Sequence, residues 1–300
     1  MEMFAMAFMQ RAWLAALMMA VVCPLIGSFL VLRRQSLIGD GLGHIAFAGV
    51  AAGSLWDVSP VLSAMVACVI GAMAIEKVRG LLKESADMVL AIFFYAGMGI
   101  AVVLASMNHS GNFNFSSILF GSLVTVSTMD LWIVGGLGIA ACAFVLIYYR
   151  PLQFITYDEA GAAVAGLPVA TLNFLLAFLT ALTVALSMRI VGLLLVSAMM
   201  VIPVAAALQK AKSFAQTIIL AIGYSILSVT VGLIISYYAN LAPGGTIVLV
   251  ATAIFVISLC FRTKPVHIQE DRHEDCAECA HQGQVDECGH IHHEHETYQR

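Results

Sequence analysis

An aspartate and a histidine stand four residues apart, Asp40 and His44, inside the otherwise apolar run SLIGDGLGHIAFAGVAAG over 36–53. On a helix, residues i and i+4 share one face, so the carboxylate and the imidazole reach the same point, and that point could hold a divalent cation. Ionisable groups within lipid are costly, usually face an interior pathway and mark function by default. The competing reading is an aspartate that simply caps a helix N-terminus. Gly39, Gly41, Gly43 and Gly49 either let helices approach closely or let the backbone break around a bound ion, and small-residue packing explains them equally well on their own.

A second set of metal-binding residue types lies near the C-terminus. Residues 273–295 read HEDCAECAHQGQVDECGHIHHEH, with Cys276, Cys279, Cys288, His290, His292, His293 and His295. Thiolate and imidazole together suit zinc and other borderline or soft metals. The spacing after Cys279 matches no standard zinc finger, and no apolar core accompanies it, so the expectation is a disordered, acidic, metal-binding tail. Disulfides are not expected in a reducing compartment. Cys23, Cys68, Cys142 and Cys260 fall in apolar runs and are read as small packed hydrophobes.

The elements that must position Asp40 and His44 are membrane helices. The chain has 300 residues, 61% of them hydrophobic and only 11% charged, with a mean hydropathy of +0.95, far from the roughly 25% charged residues of a soluble domain. Half of the acidic residues and seven of the nine histidines follow Pro265, so a lipid-embedded body over 1–264 precedes a tail over 265–300. The first apolar run is too long for a signal peptide and is followed by Arg33 and Arg34 rather than a cleavage site. Apolar runs and their breaks predict an all-α, polytopic membrane protein with about nine transmembrane helices, near 12–32, 36–55, 60–77, 88–106, 130–149, 171–189, 191–209, 214–238 and 246–261. The segment 113–128 is too short and polar to cross and is expected to be re-entrant or interfacial. An N-terminus outside puts Arg33, Arg34, Lys77, Arg79, Lys83, Arg150, Lys210, Lys212, Arg262 and Lys264 on the cytoplasmic side, as the positive-inside rule requires, with the C-terminus cytoplasmic. Asp40 is then shallow unless its helix is tilted or begins before Ser36. Pro203 interrupts the run at 192–207 and marks either a kink or a gate.

The loop 150–170 carries the signals of a short helix. Thr156 and Glu159 are spaced as a capping box, Asp158 and Glu159 favour the N-terminal dipole, and Gly166 with Pro168 marks the end. The small residues between them let another protein approach closely, and a loop longer than the usual connection of about 4–6 residues is commonly functional. A docking helix is expected here, a mere connector being the alternative.

Several chemistries are excluded. No lysine follows a glycine, so no G-x-x-x-x-G-K-[ST] loop can bind ATP, and no H-E-x-x-H occurs to support an intramembrane protease; no enzyme activity is expected of this chain. Laid out in order, SLIGDGLGHIAFAGVAAG at 36–53, ILFGSL at 118–123 followed by Asp130, YDEAGAAVAGLPV at 157–169 and VGLLLVSAMMVIPVAAA at 191–207 resemble the permease subunit of bacterial ABC transporters for zinc and manganese ions. The resemblance covers about 10–262, making 1–264 the permease domain. It implies that Asp40 and His44 line the ion path and that Tyr157, Asp158, Glu159, Ala160, Gly161, Ala162 and Gly166 belong to a coupling helix against a separate cytoplasmic ATP-binding subunit. It further implies an extracytoplasmic metal-binding protein as partner and a multi-pass location in the bacterial cytoplasmic (inner) membrane. The tail is no part of the resemblance.

On this reading the substrate is Zn2+ or Mn2+, the chain carries no cofactor, ATP is bound by the partner, and lipid rather than nucleic acid surrounds it. One copy offers two ligands where zinc usually takes four, and no third Cys, His, Asp or Glu lies in that span, so a twofold homodimer with a shared His2Asp2 site is expected. The alternative is a stand-alone secondary metal transporter, although such carriers usually place several ionisable residues in their spans.

Overall fold

The computed structural model describes residues 7–82, 86–107, 127–239 and 241–261. The 118–123 motif and the whole of the tail, with Cys276, Cys279, Cys288, His290, His292, His293 and His295, lie outside the described residues. Among those described there are eleven helices and no strand: α1 (Ala7–Leu32), α2 (Ile38–Leu55), α3 (Pro60–Leu81), α4 (Ala86–Met107), α5 (Thr128–Ile147), α6 (Tyr149–Tyr157), α7 (Glu159–Val164), α8 (Val169–Val191), α9 (Leu193–Leu208), α10 (Phe214–Ala239) and α11 (Pro243–Cys260). Each predicted apolar run is occupied by a helix. Seven of these, α1, α3, α4, α5, α8, α10 and α11, are long and apolar enough to cross a membrane. Helix α9 has 16 residues, a rise of about 24 Å, and α2 is diluted by Asp40, His44 and its glycines.

Burial explains why α2 tolerates that composition. Eleven of its eighteen residues are buried, and it packs against α3, α4, α8 and α9. Helices α1, α9, α10 and α11 pack on one another, and α8 joins them to α3 and α2. The faces that remain, on α3, α4 and α5, carry exposed Leu62, Ile70, Ile92, Ile100, Trp132 and Ile139, as a lipid-facing ring should. In lipid, helices are held by close packing rather than by a hydrophobic difference, and the glycines of α2 supply it. A Cβ on Gly49 would sit 2.8 Å from the Ser63 carbonyl oxygen and 2.9 Å from the Ala64 Cα of α3, and one on Gly43 would run into Leu193 of α9. Helix α2 is unbroken through all of these glycines, so their role is close approach and not a broken backbone.

The chain breaks between the apolar runs expected at 171–189 and 191–209. Gly192 has φ +91°, which few other residues adopt; it ends α8 and starts α9. Helix α9 then continues through Pro203 without interruption.

Between α5 and α8 the chain departs from the expected single helix. It forms two, α6 and α7, separated at Asp158. The Thr156 hydroxyl is not a cap: it lies within α6 and donates to the Leu152 carbonyl at 2.6 Å. The capping residue of α7 is Asp158, whose carboxylate accepts from Gly161 N–H at 2.8 Å. The expected terminus is present, with Gly166 at φ +81° and the bonds Leu167 N–H to Ala162 O and Gly166 N–H to Ala163 O, both 3.1 Å, which form a Schellman motif.

Candidate functional site

Asp40 lies in the first turn of α2, where a negative charge is favoured by the helix dipole. It is not the N-cap: that position is Leu37, and no side chain caps the helix. The helix begins at Ile38, after Ser36, so Asp40 is about one turn from the α1–α2 connection. His44 follows one turn further along the helix on the same face. Its ring meets Phe94 of α4 edge to face, with centroids 4.7 Å apart and planes at 85°. The buried Nδ1 of His44 has no hydrogen-bond partner among the described residues. The two side chains therefore form a carboxylate and an imidazole with open donor capacity on an enclosed helix, which is a chemistry that a hard or borderline divalent cation can use. Among the described residues no group of three or more His, Cys, Asp or Glu side chains converges, so within them this pair has no third ligand of those types.

At the end of the helices where α1 stops, the chemistry is different. Arg33 Nη1 donates to Asn173 Oδ1 of α8 at 2.7 Å, and Arg33 Nε donates to Thr156 Oγ1 of α6 at 3.2 Å. Asn173 Nδ2 donates to Glu159 Oε1 of α7 at 2.9 Å. Glu159 Oε2 lies 4.0 Å from Arg79 Nη1, and Arg79 is forked onto Glu76 at 2.6 and 3.2 Å. Burial, followed by the nearby Arg79, pushes the Arg33 guanidinium down to about 10, against the pull of Glu159 and Glu76; it stays charged at neutral pH. This cluster puts Arg33, Arg79 and the 150–170 segment at one end, the grouping that the charge distribution predicts. Arg33 and Arg79 stand out in the sequence only as loop charges, Thr156 and Glu159 only as capping residues, and Asn173 not at all. The available signal is one amide near the start of a mostly apolar helix, VATLNFLL.

Of the expected docking residues, Tyr157, Asp158, Glu159 and Ala160 are exposed, Gly161 is half-buried and makes the cap, and Gly166 is the exposed terminus. Ala162 is fully buried and faces the protein, not a partner. The outward tip is Val164, 90% exposed, with Tyr157 at 64% and Phe154 also outward. Asp130 forms a reciprocal capping box with Ser127 at the start of α5, accepting from Ser127 N–H at 3.0 Å while Ser127 Oγ accepts from Asp130 N–H at 3.2 Å.

The profile of the ABC 3 transport family matches residues 5–262. The chain is similar to a "Probable metal transport system membrane protein" of Treponema pallidum, 36% identical over 253 residues that make up 84% of this chain and 94% of the relative. It is 30% identical over 263 residues to the "Manganese transport system membrane protein MntC" of Halalkalibacterium halodurans, covering 88% and 90% of the two chains. Among solved structures it is similar to a chain of PsaBC from Streptococcus pneumoniae in complex with Fab, with a TM-score of 0.75, 29% identity, and coverage of 86% and 92%.

Proposed function

Because this chain belongs to the ABC 3 transport family, we propose that it is the membrane-spanning permease of an ATP-driven importer of divalent transition-metal ions, working as a homodimer with a separate cytoplasmic ATPase. The observation that carries this is the Asp40–His44 pair, an acid and an imidazole whose buried Nδ1 has no partner among the described residues, on a helix with eleven of its eighteen residues buried. Lipid would not offset the cost of such a pair without a pathway. Two copies of α2 meeting across a twofold axis would supply two carboxylates and two imidazoles, enough for a first shell that one copy lacks. Oxygen and imidazole donors suit manganese and zinc alike; the relatives named for manganese transport weigh toward Mn2+. An extracytoplasmic metal-binding protein would deliver the ion.

In this assembly α2 and α9 would be inner helices, shielded from lipid by the seven long ones, to give nine crossings with the N-terminus outside, the C-terminus cytoplasmic, and the whole in the bacterial inner membrane. Helix α7 would dock on the ATPase, its rigid cap and Schellman terminus presenting Val164 and Tyr157 as an apolar tip. Membership of an ABC family weighs against the stand-alone secondary transporter. The test is ATP-dependent Mn2+ uptake by proteoliposomes holding the permease and its ATPase. Asp40→Ala and His44→Ala should each abolish uptake while the complex still assembles; uptake at the wild-type rate by either would refute the site.

A further inference from the structure

Five helices meet through a handful of side chains at the docking end, and the order of their bonds is informative. Glu159 opens α7. One of its oxygens is held by Asn173 at 2.9 Å and the other lies 4.0 Å from Arg79. Asn173 faces Glu159 with its amide N–H and Arg33 with its amide oxygen, the latter at 2.7 Å. Arg33 opens the short connection to α2, which is held at both ends: Gln35 N–H donates to Leu30 O of α1 at 2.8 Å, and Ile38, the first residue of α2, donates to Gln35 O at 3.1 Å. The intervening Arg34 has φ +57°, a conformation that a tight connection imposes on a residue with a side chain. A displacement of Arg33 thus reaches the turn of α2 that carries Asp40 through the four-residue connection 34–37, which is held by the Gln35 bonds.

The arrangement is not the one that stability alone would select. A mostly buried guanidinium is best met by a carboxylate fork, yet among the described residues Arg33 bonds only neutral oxygens, and its buried Nη2 has no partner there. Glu159 is close, with Asn173 between. Beside them an open cavity of about 860 Å3, lined by Glu76, Lys77, Arg79, Glu159 and Asn173, leaves the Glu159 and Arg79 side chains room to move. A polar cluster with one donor unfilled and space alongside has the makings of an element with two arrangements, which is what coupling between sites requires.

We propose that Glu159, Asn173 and Arg33 form a positioning relay that makes the docking helix α7 and the first turn of α2 move together, so that motion imposed at α7 is delivered to the Asp40 end of the ion site. This rests on the reading of α7 as the ATPase-docking helix. None of the three touches the transported ion; they act through α2. Asn173 is the exchange point, because among the described residues it hydrogen-bonds both Arg33 and Glu159.

The pairing can be broken and restored without removing a residue from the cluster. Asn173→Asp keeps an acceptor for Arg33 but turns a carboxylate on Glu159. Adding Glu159→Gln restores a hydrogen bond with donor and acceptor reversed. The measurement is metal ions transported per ATP hydrolysed by the full permease–ATPase complex in proteoliposomes, with complex assembly followed separately by co-purification. Asn173→Asp should still assemble and hydrolyse ATP but transport roughly tenfold fewer ions per ATP, within the ~5- to 150-fold that couplings between sites span, and the double variant should recover most of the loss. An unchanged ratio in Asn173→Asp, a failure of the double variant to recover, or a loss of assembly in Asn173→Asp would each overturn the relay and leave a purely structural cluster. Failure of the wild-type permease to retain any ATPase would overturn the docking reading itself, and that result is distinguishable because it appears before any substitution is made.

Discussion

Arg33 donates to Thr156 of α6 and Asn173 of α8, Asn173 donates in turn to Glu159 of α7, and Arg79 and Glu76 of α3 extend the cluster. Eleven residues further along the chain, His44 has a buried ring nitrogen with no partner among the described residues and an aromatic edge beside it. Both regions set polar groups in an apolar protein, but the first ties most of them to one another, Arg33 Nη2 being left over among the described residues, and the second leaves its imidazole nitrogen unbonded. A cluster bonded mostly within the chain links helices to one another; a pair left open can exchange a ligand. Helix α2 can leave its pair open because neither Asp40 nor His44 is needed to position it: its glycines pack closely on α3 and α9, and Cys68 of α3 donates to its Leu42 carbonyl at 3.3 Å.

The largest effect should come from emptying the open pair. His44→Ala is expected to lower uptake more than about 100-fold, beyond the ~10- to 100-fold that loss of a mere supporting partner costs a metal site, while thermal unfolding of the detergent-solubilised protein stays unchanged. A large loss of stability instead would place His44 with the structural residues and erase the contrast. The interlocked cluster should respond the other way: Thr156→Val leaves Arg33 Nε without an acceptor and is expected to cost about 1–3 kcal/mol, read by the same unfolding measurement. Gly49→Ala should cost a similar ~1–3 kcal/mol, since its methyl group meets the backbone of α3, whereas Gly99→Ala, with open space around it, should cost nothing measurable.

Smaller effects sharpen the contrast further. Only a neutral imidazole can ligate, so uptake should weaken as the pH is lowered enough to protonate His44; uptake that stays constant from neutral to acid pH would remove the imidazole from the ion's ligands. Val164→Asp, at the exposed tip of α7, should change stability by no more than about 0.5 kcal/mol while weakening retention of the ATPase; intact retention would move the docking surface elsewhere.

Much of this is legible in the residues. Apolar runs locate the helices, the i, i+4 spacing places Asp40 and His44 on one face, and Gly192 announces the break between α8 and α9. The loop misleads for a physical reason. Thr156 has capping-box spacing to Glu159, but its hydroxyl has a nearer acceptor one turn back in α6, and Asp158 takes the cap instead. Small size makes Ala162 look like a docking contact, although periodicity over so short a helix cannot say which alanine turns inward. Asn173 is illegible because its partners lie 14 and 140 residues away in sequence, and only the packing of α8 brings them together.

The central claim, that two copies share one ion site built from Asp40 and His44, is tested most directly by a tandem permease of two fused copies, assembled with its ATPase and assayed for ATP-dependent Mn2+ uptake. One copy would be wild type and the other would carry Asp40→Ala with His44→Ala. A shared site predicts that this half-emptied tandem takes up as little metal as one with both copies mutated, since half of the first shell is gone. Uptake at half the wild-type rate or above would contradict it, and would assign each copy a pathway of its own.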